Sequence, residues 1–263
     1  MRVARLILCV SSCFLLSISL AAQQTATSGP QALQLLQQSL SALAGGKAIS
    51  DVTLSGTARR IVGSDDESGT GVLKAIAGAG RTDLTLSSGQ RSEVQNLTAA
   101  TPAGSWSAAD GVSHAMAFHN LLTEPAWFFP TFAISRRLST TGYVAIYVGR
   151  ETLNGQAVEH VSVYQTPPFP DPPGVSFEHL SQVDFYLDSS TFLPAAVTFN
   201  IHPDNNALLN LPTEIRFSDY RATGGSQVPY HVQKFLNNSL ILDFQADSVT
   251  RNSGLSASAF QVQ

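Results

Sequence analysis

The chain has 263 residues, 43% of them hydrophobic and only 13% charged, with a formal net charge of −4. Ample apolar content with so little net charge excludes an intrinsically disordered chain. Fifteen basic residues, spread thinly against 19 acidic ones, exclude the electrostatic footprint of a nucleic-acid binder.

At the N-terminus, Arg2 and Arg5 precede an apolar stretch over 6–20, and Ala21-Ala22 leads into Gln23-Gln24. A positive flank, a short apolar run and small residues at its exit predict a secretory signal peptide over 1–22. Both cysteines, Cys9 and Cys13, lie within it. The exported chain is therefore expected to lack disulfides, zinc–thiolate sites and cysteine nucleophiles. Val10-Ser11-Ser12-Cys13 matches a lipoprotein box only superficially, because apolar character continues from Phe14 to Leu20. No later stretch approaches the roughly 18 apolar residues of a membrane-spanning helix. Export without disulfides fits a bacterial envelope, with the periplasm as the expected compartment and full secretion as the alternative.

A polar, flexible leader is expected over 23–29. Pro30 suits a first helical turn, with Ser28 as the cap. Leu33, Leu36, Leu40 and Leu43 recur at spacings of three and four before Gly45-Gly46, which predicts an amphipathic helix over 30–44. From residue 51 onward the period changes to two. Val52, Leu54, Gly56 and Ala58 alternate with polar neighbours, and 63–69 is expected to be a polar hairpin connection before 70–76 returns. Ser88-Gly89 and Asp110-Gly111 mark two further hairpins. Alternation fails over 119–137, where Trp127, Phe128 and Phe129 stand between Pro125 and Pro130; one or two short helices are expected there. Residues 143–150 are apolar at alternate and intervening positions, which predicts burial on both faces. Asn154-Gly155 turns the chain back over 157–165. Residues 166–180, with Pro167, Pro168, Pro170, Pro172 and Pro173, are expected to form a loop unable to pair. Strands over 182–188 and 195–202 follow, then a meander over 214–250 turning at Gly224-Gly225 and Asn237-Asn238.

This gives about eleven strands with short connections, which require antiparallel neighbours. The expected fold is mainly β (α+β): a single large curved antiparallel sheet or unclosed barrel over residues 30–263, lidded by two or three helices. One face is apolar along most strands, including Phe185, Phe199 and Phe217.

Catalytic patterns are missing. The sequence holds no Gly-x-Ser-x-Gly elbow, no phosphate-binding glycine loop and no HExxH helix. Of six histidines, His114 and His119 stand five apart near Asp110, a spacing that suits neither a strand face nor a helix face for a shared metal. Asp65-Asp66-Glu67 lacks calcium-loop spacing and reads as a solvated hairpin tip. Glu178, Asp184 and Asp188 read as exposed carboxylates. No catalytic residue, metal ligand or cofactor is assigned.

Three stretches carry a family resemblance. The helix over 31–44 ends in Gly45-Gly46 and leads into Asp51-Val52-Thr53-Leu54-Ser55-Gly56-Thr57. Val183-Asp184-Phe185-Tyr186-Leu187-Asp188 precedes Phe192-Leu193-Pro194. Ile215-Arg216-Phe217-Ser218-Asp219-Tyr220-Arg221 runs through Gly224-Gly225 to Val228-Pro229-Tyr230. In this order they resemble the LolA-like group of periplasmic lipoprotein carriers and lipoprotein-localisation folds. The resemblance implies an unclosed eleven-stranded barrel whose helices lid an apolar cavity for acyl chains. The Pro-rich stretch at 166–174 departs from the carriers, and no role is carried over to Arg136 or Arg137 near the presumed lid.

The leading reading is a non-enzymatic exported protein binding an acyl chain, lipid or acylated protein in a half-barrel. Trp127, Phe128 and Phe129 with Phe185, Phe199 and Phe217 are the candidate cavity lining and lid. The alternative is a packed interaction or sensor module meeting another envelope protein through the Pro-rich loop. A third reading is a hydrolase with an unrecognised site.

Overall fold

Helix α1 (Pro30–Ala44) begins at proline, whose fixed φ suits a first helical turn. Ser28 does not cap it: Gly29 occupies the N-cap, and the Ser28 hydroxyl instead accepts a hydrogen bond from Ala145 N–H at 3.0 Å. The buried stripe is Ala32, Leu35, Leu36, Ser39 and Leu43, with Leu33 and Leu40 flanking it. Gly45 ends the helix in the left-handed region at φ 57°, where its N–H bonds Ser41 O at 3.0 Å. A Cβ there would lie 1.9 Å from Gly225 O, so only glycine lets the helix end seat on the turn at 224–225.

The computed structural model describes residues 27–167 and 176–262. The predicted signal peptide with both cysteines, and the prolines at 168–173, lie outside the described residues. The strands are β1 (Asp51–Val62), β2 (Asp65–Ile76), β3 (Ala79–Leu86), β4 (Gly89–Asn96), β5 (Ala103–Ser107), β6 (Ser113–Ala115), β7 (Tyr143–Leu153), β8 (Gln156–Gln165), β9 (Val183–Asp188), β10 (Pro194–Ile201), β11 (Leu211–Thr223), β12 (Ser226–Leu236) and β13 (Ser239–Arg251). They form one antiparallel sheet in the order β6-β5-β4-β3-β2-β1-β13-β12-β11-β10-β9-β8-β7. Among the described residues the sheet is unclosed, as expected, but has thirteen strands rather than about eleven. Periodicity marks apolar runs; which of them pair as separate strands depends on interstrand hydrogen bonding. The short outer strands β5 and β6 pair only for a few residues each.

Two-residue turns explain the long hairpins. At Asn154-Gly155, Gly224-Gly225 and Asn237-Asn238 both residues have positive φ, the turn whose twist matches its flanking strands. The expected connection over 63–69 is wrong for the same reason. The turn is only Gly63-Ser64, and Asp65–Ser68 continue the ladder opposite Arg59–Val62. β7 is also not buried on both sides. It is an edge strand with Ile146 and Val148 exposed, and Ser28 and Gly29 bond to it at Ala145. Those bonds cover part of an edge that would otherwise invite pairing with another chain.

One face of the sheet is lined by α1, which packs against β7, β8 and β12, and by α2 (Pro130–Ser139), which packs against α1. A 3-10 turn at Phe118–Leu122 precedes α2, so 119–137 does hold two short helical pieces. A third short helix, α3 (Phe177–Ser181), stands where a loop was expected; the Ser176 hydroxyl caps it, accepting from His179 N–H.

The strand–turn–strand around β9 and β10 is held by one carboxylate. Asp188 accepts hydrogen bonds from Ser190 and Thr191, backbone and side chain alike, and from Gln156. Burial works to raise its pKa, but these hydrogen bonds outweigh it and hold the group well below the ordinary carboxylate range. Asp51, beside the C-terminal end of β13, is treated likewise: hydrogen bonds from Ser253, Ser50 and Gly254 outweigh its burial. A depressed carboxylate contributes stability above its unfolded pKa and loses it as pH falls toward the folded value. The free energy of unfolding should therefore decline from about pH 4 downward. Asp188→Ala should be less stable at neutral pH and show a flatter acid limb, as read by urea unfolding across a pH series.

Candidate functional site

The site is built by the segment that crosses the concave face between the 3-10 turn and α2. Thr123, Glu124, Ala126, Trp127, Phe128 and Phe129 are all buried. The backbone passes so close to β3 that a Cβ on Gly80 would meet Pro125 O at 1.9 Å. Glu124 anchors the segment. One of its oxygens accepts from Ala126 N–H at 3.1 Å, and the other is bonded by Arg137 from α2. Arg137 also donates to Ala133 O at 3.0 Å, and its guanidinium lies over the Phe185 ring at 5.4 Å. Both side chains of this pair are 1% exposed. A buried ion pair gives little net stability, but removing one partner leaves an uncompensated charge and costs about 3–5 kcal/mol. Glu124→Ala should lower the urea midpoint by that amount. Glu124→Leu combined with Arg137→Met should recover most of the loss, and a double-mutant cycle reads the coupling.

Two hollows border Trp127. The first, of about 260 Å³, is lined by Arg60, Leu84, Arg91, Trp106, Trp127 and Leu242 among others. The second, of about 190 Å³, also borders Trp127 and reaches Met116, Glu124, Phe199 and Ile201. Both share Glu93, Trp106, Trp127 and Lys234. Lys234 Nζ stands 4.6 Å from the Trp127 ring centre and 3.8 Å from the Glu93 carboxylate. Trp106 forms the rim, 39% exposed and stacked on His114 at 4.2 Å.

The register shows why the hollows lie here. One cross-strand row runs Glu67, Arg60, Leu242, Lys234, Ile215, Val197, Phe185, Val161. Its β8–β11 half is wholly apolar and is covered by the helices and the crossing segment. Its β2–β12 half carries three charges and borders the first hollow.

The six aromatic candidates meet in one core. Trp127, Phe128, Phe129, Phe185, Phe199 and Phe217 belong to a single cluster of buried apolar residues. Trp127 borders both hollows and Phe199 the second; Phe128, Phe129 and Phe185 are 0% exposed within the packing. Arg60, Arg91, Lys234 and Trp106 were not singled out from the sequence. A signal existed: the inward parity Val52, Leu54, Gly56, Ala58 continues to Arg60, a charge on the apolar side of the alternation.

Other polar groups lie elsewhere. His114 and His119 do not meet: the first stacks on Trp106, and the second lies 3.1 Å from Pro203 O. His202 is buried, and desolvation holds its pKa down, helped by the charges of His119 and His179. His160 bridges Glu151 and Asp184; burial opposes its protonation, but those carboxylates prevail and raise its pKa. Thus Asp184 is not a free surface carboxylate. Among the described residues, no group of three or more His, Cys, Asp or Glu has the geometry to hold a metal ion. Ser218 Oγ, His231 and Asp243 form a chain at 3.0 and 2.7 Å across β11, β12 and β13. That chain is a ladder between neighbouring strands, and neither hollow beside Trp127 borders it.

No family model and no curated protein matches the chain. Solved structures do match it. A domain assigned to outer membrane lipoprotein sorting from Vibrio parahaemolyticus superposes with TM-score 0.55 at 13% identity, covering 88% of this chain and 96% of that one. A DUF1329 family protein from Desulfovibrio piger gives 0.52 at 9% identity, with 88% and 96% covered. A LolA superfamily protein from Nitrosomonas europaea gives 0.48 at 10% identity, with 88% and 97% covered. The chain thus shares its fold with the lipoprotein-sorting domain and the DUF1329 protein, in line with the fold that the sequence resemblance implied.

Proposed function

We propose that the protein is an exported, non-enzymatic binder of an acyl chain, a lipid or the lipid part of an acylated protein, held on the concave face beside Trp127. One observation carries this reading: the wide sheet leaves two hollows beside Trp127, which share the apolar rings of Trp127 and Trp106 as wall. Binding pockets for small ligands commonly measure about 300–1,000 Å³. Neither hollow reaches that alone, so a long chain requires the two to join by movement of the side chains they share, Trp127 among them. The driving force is apolar area removed from water, about 25 cal/mol per Å². The predicted signal peptide supports export to the envelope. Among the described residues, no helix is long and apolar enough to cross a membrane.

Trp127→Ala should weaken binding of a fluorescent fatty acid about tenfold, equivalent to about 1.4 kcal/mol of lost contact. Fluorescence titration with circular dichroism as the folding control measures it. Unchanged affinity in a folded variant removes Trp127 from the site. Native mass spectrometry that finds no lipid retained or taken up by the wild type sinks the cavity reading. A second reading, an interaction module, draws on Ile146 and Val148, exposed on edge strand β7. It predicts partner capture that is indifferent to Trp127→Ala and lost on Ile146→Lys.

A further inference from the structure

We propose that the first hollow holds the anionic head of an amphiphile, a carboxylate or a phosphate, on Arg60 and Arg91, with its apolar tail running toward Trp127. The proposal rests on the lipid-binding reading and names the chemistry of the ligand's head.

Arg60 on β1 and Arg91 on β4 line the same hollow. Their side chains are 22% and 19% exposed, so each has left most of its water behind. The carboxylate between them does not satisfy either. Glu67 Oε2 lies 3.6 Å from Arg60 Nη1 and 3.5 Å from Arg91 Nη2, too far or at the limit for a good hydrogen bond. The other oxygen, Oε1, is engaged by Ser88 N–H at 3.0 Å. Among the described residues, Arg60 Nη1, Arg91 Nε and Glu67 Oε2 are buried without a hydrogen-bond partner. Two guanidinium groups thus share the Glu67 carboxylate, with Asp65 the other acid acting on Arg60, and each keeps one buried donor unmet beside the cavity that both side chains line. Burial, with the Arg91 charge beside it, lowers the Arg60 pKa, the direction expected where positive charge is undercompensated.

Leaving a buried charged donor unpaired is costly, and an oxyanion is the group that planar guanidinium forks bind best. Lys234 is the third cation at the hollow, but it is already placed between Glu93 and the Trp127 face. The rest of the wall is mostly apolar, with Val62, Leu84, Trp106, Trp127, Ile241 and Leu242 beside the hydroxyls of Thr82, Ser92 and Ser107. A neutral oil would leave the arginines unmet, and a free inorganic anion would leave these walls wet. A ligand with both an oxyanion and a hydrocarbon tail satisfies both.

The test compares delipidated protein binding to palmitate, palmitoyl lysophosphatidate and hexadecanol, all below their aggregation thresholds, by displacement of a neutral fluorescent probe. The wild type should bind at least one of the anions tenfold or more tighter than hexadecanol. Arg60→Gln/Arg91→Gln should bind all three alike, near the wild-type hexadecanol affinity. Tighter palmitate points to a free fatty acid, and tighter lysophosphatidate to a phospholipid headgroup. The single change Arg91→Gln asks less of the fold and should reduce the preference threefold or more; Arg150→Gln, on exposed β7, should leave it intact. Equal wild-type affinity for all three, or a preference that survives the double change, overturns the headgroup site and leaves the cavity standing. No binding of any of them overturns both.

Discussion

A curved sheet with an apolar concave face cannot stand open to water, and the rest of this structure follows from how that face is covered. Thirteen strands present more apolar surface than α1 and α2 reach. The chain solves part of the problem by sending Thr123–Phe129 across the concavity as irregular backbone. Such a segment must satisfy its own polar groups once buried. Glu124 does this by accepting from Ala126 N–H on one side and binding Arg137 on the other. The ion pair joins the crossing segment to α2, and the aromatic side chains beside it fill the β8–β11 half of the face.

What the segment leaves uncovered is as informative as what it buries. Along a single cross-strand row the residues change from Val161, Phe185, Val197 and Ile215 to Lys234, Leu242, Arg60 and Glu67. The apolar half is buried and packed. The mixed half keeps hollows beside Trp127 and carries charges that mere packing would not select, since an unpaired buried charge destabilises a core. The convex face and edges need no such account. Its His, Asp, Glu and Ser side chains pair across strands, and the β7 edge is partly covered by Ser28 and Gly29.

Much of the architecture was legible because it is local. The α1 pattern, the Asn-Gly and Gly-Gly turns and the alternation along β9 to β13 each depend on neighbours a few residues apart. The motif around Asp188 proved to be a turn clamped by one carboxylate, with Phe192 at φ 59°, so its resemblance to the LolA-like pattern has a mechanical cause. Misreadings came where the deciding partner is distant. Polarity at 65–68 suggested a loop, yet hydrogen bonding to Arg59–Val62 makes it strand. Apolar residues at 143–150 suggested burial on both faces, yet Ile146 and Val148 are exposed on edge strand β7.

The sequence by itself determined the periodicity, the turns, the mainly β class and the aromatic group that would have to be buried, because these are properties of adjacent side chains and backbone torsions. Only the tertiary structure decided that Arg60 and Arg91 share one hollow with Glu67 between them, that Lys234 lies on Trp127, and that the packed and open halves of the face meet at that indole. These contacts join β1, β2, β4, β12 and the crossing segment, and nothing local in the chain encodes which of its distant charges will face one another.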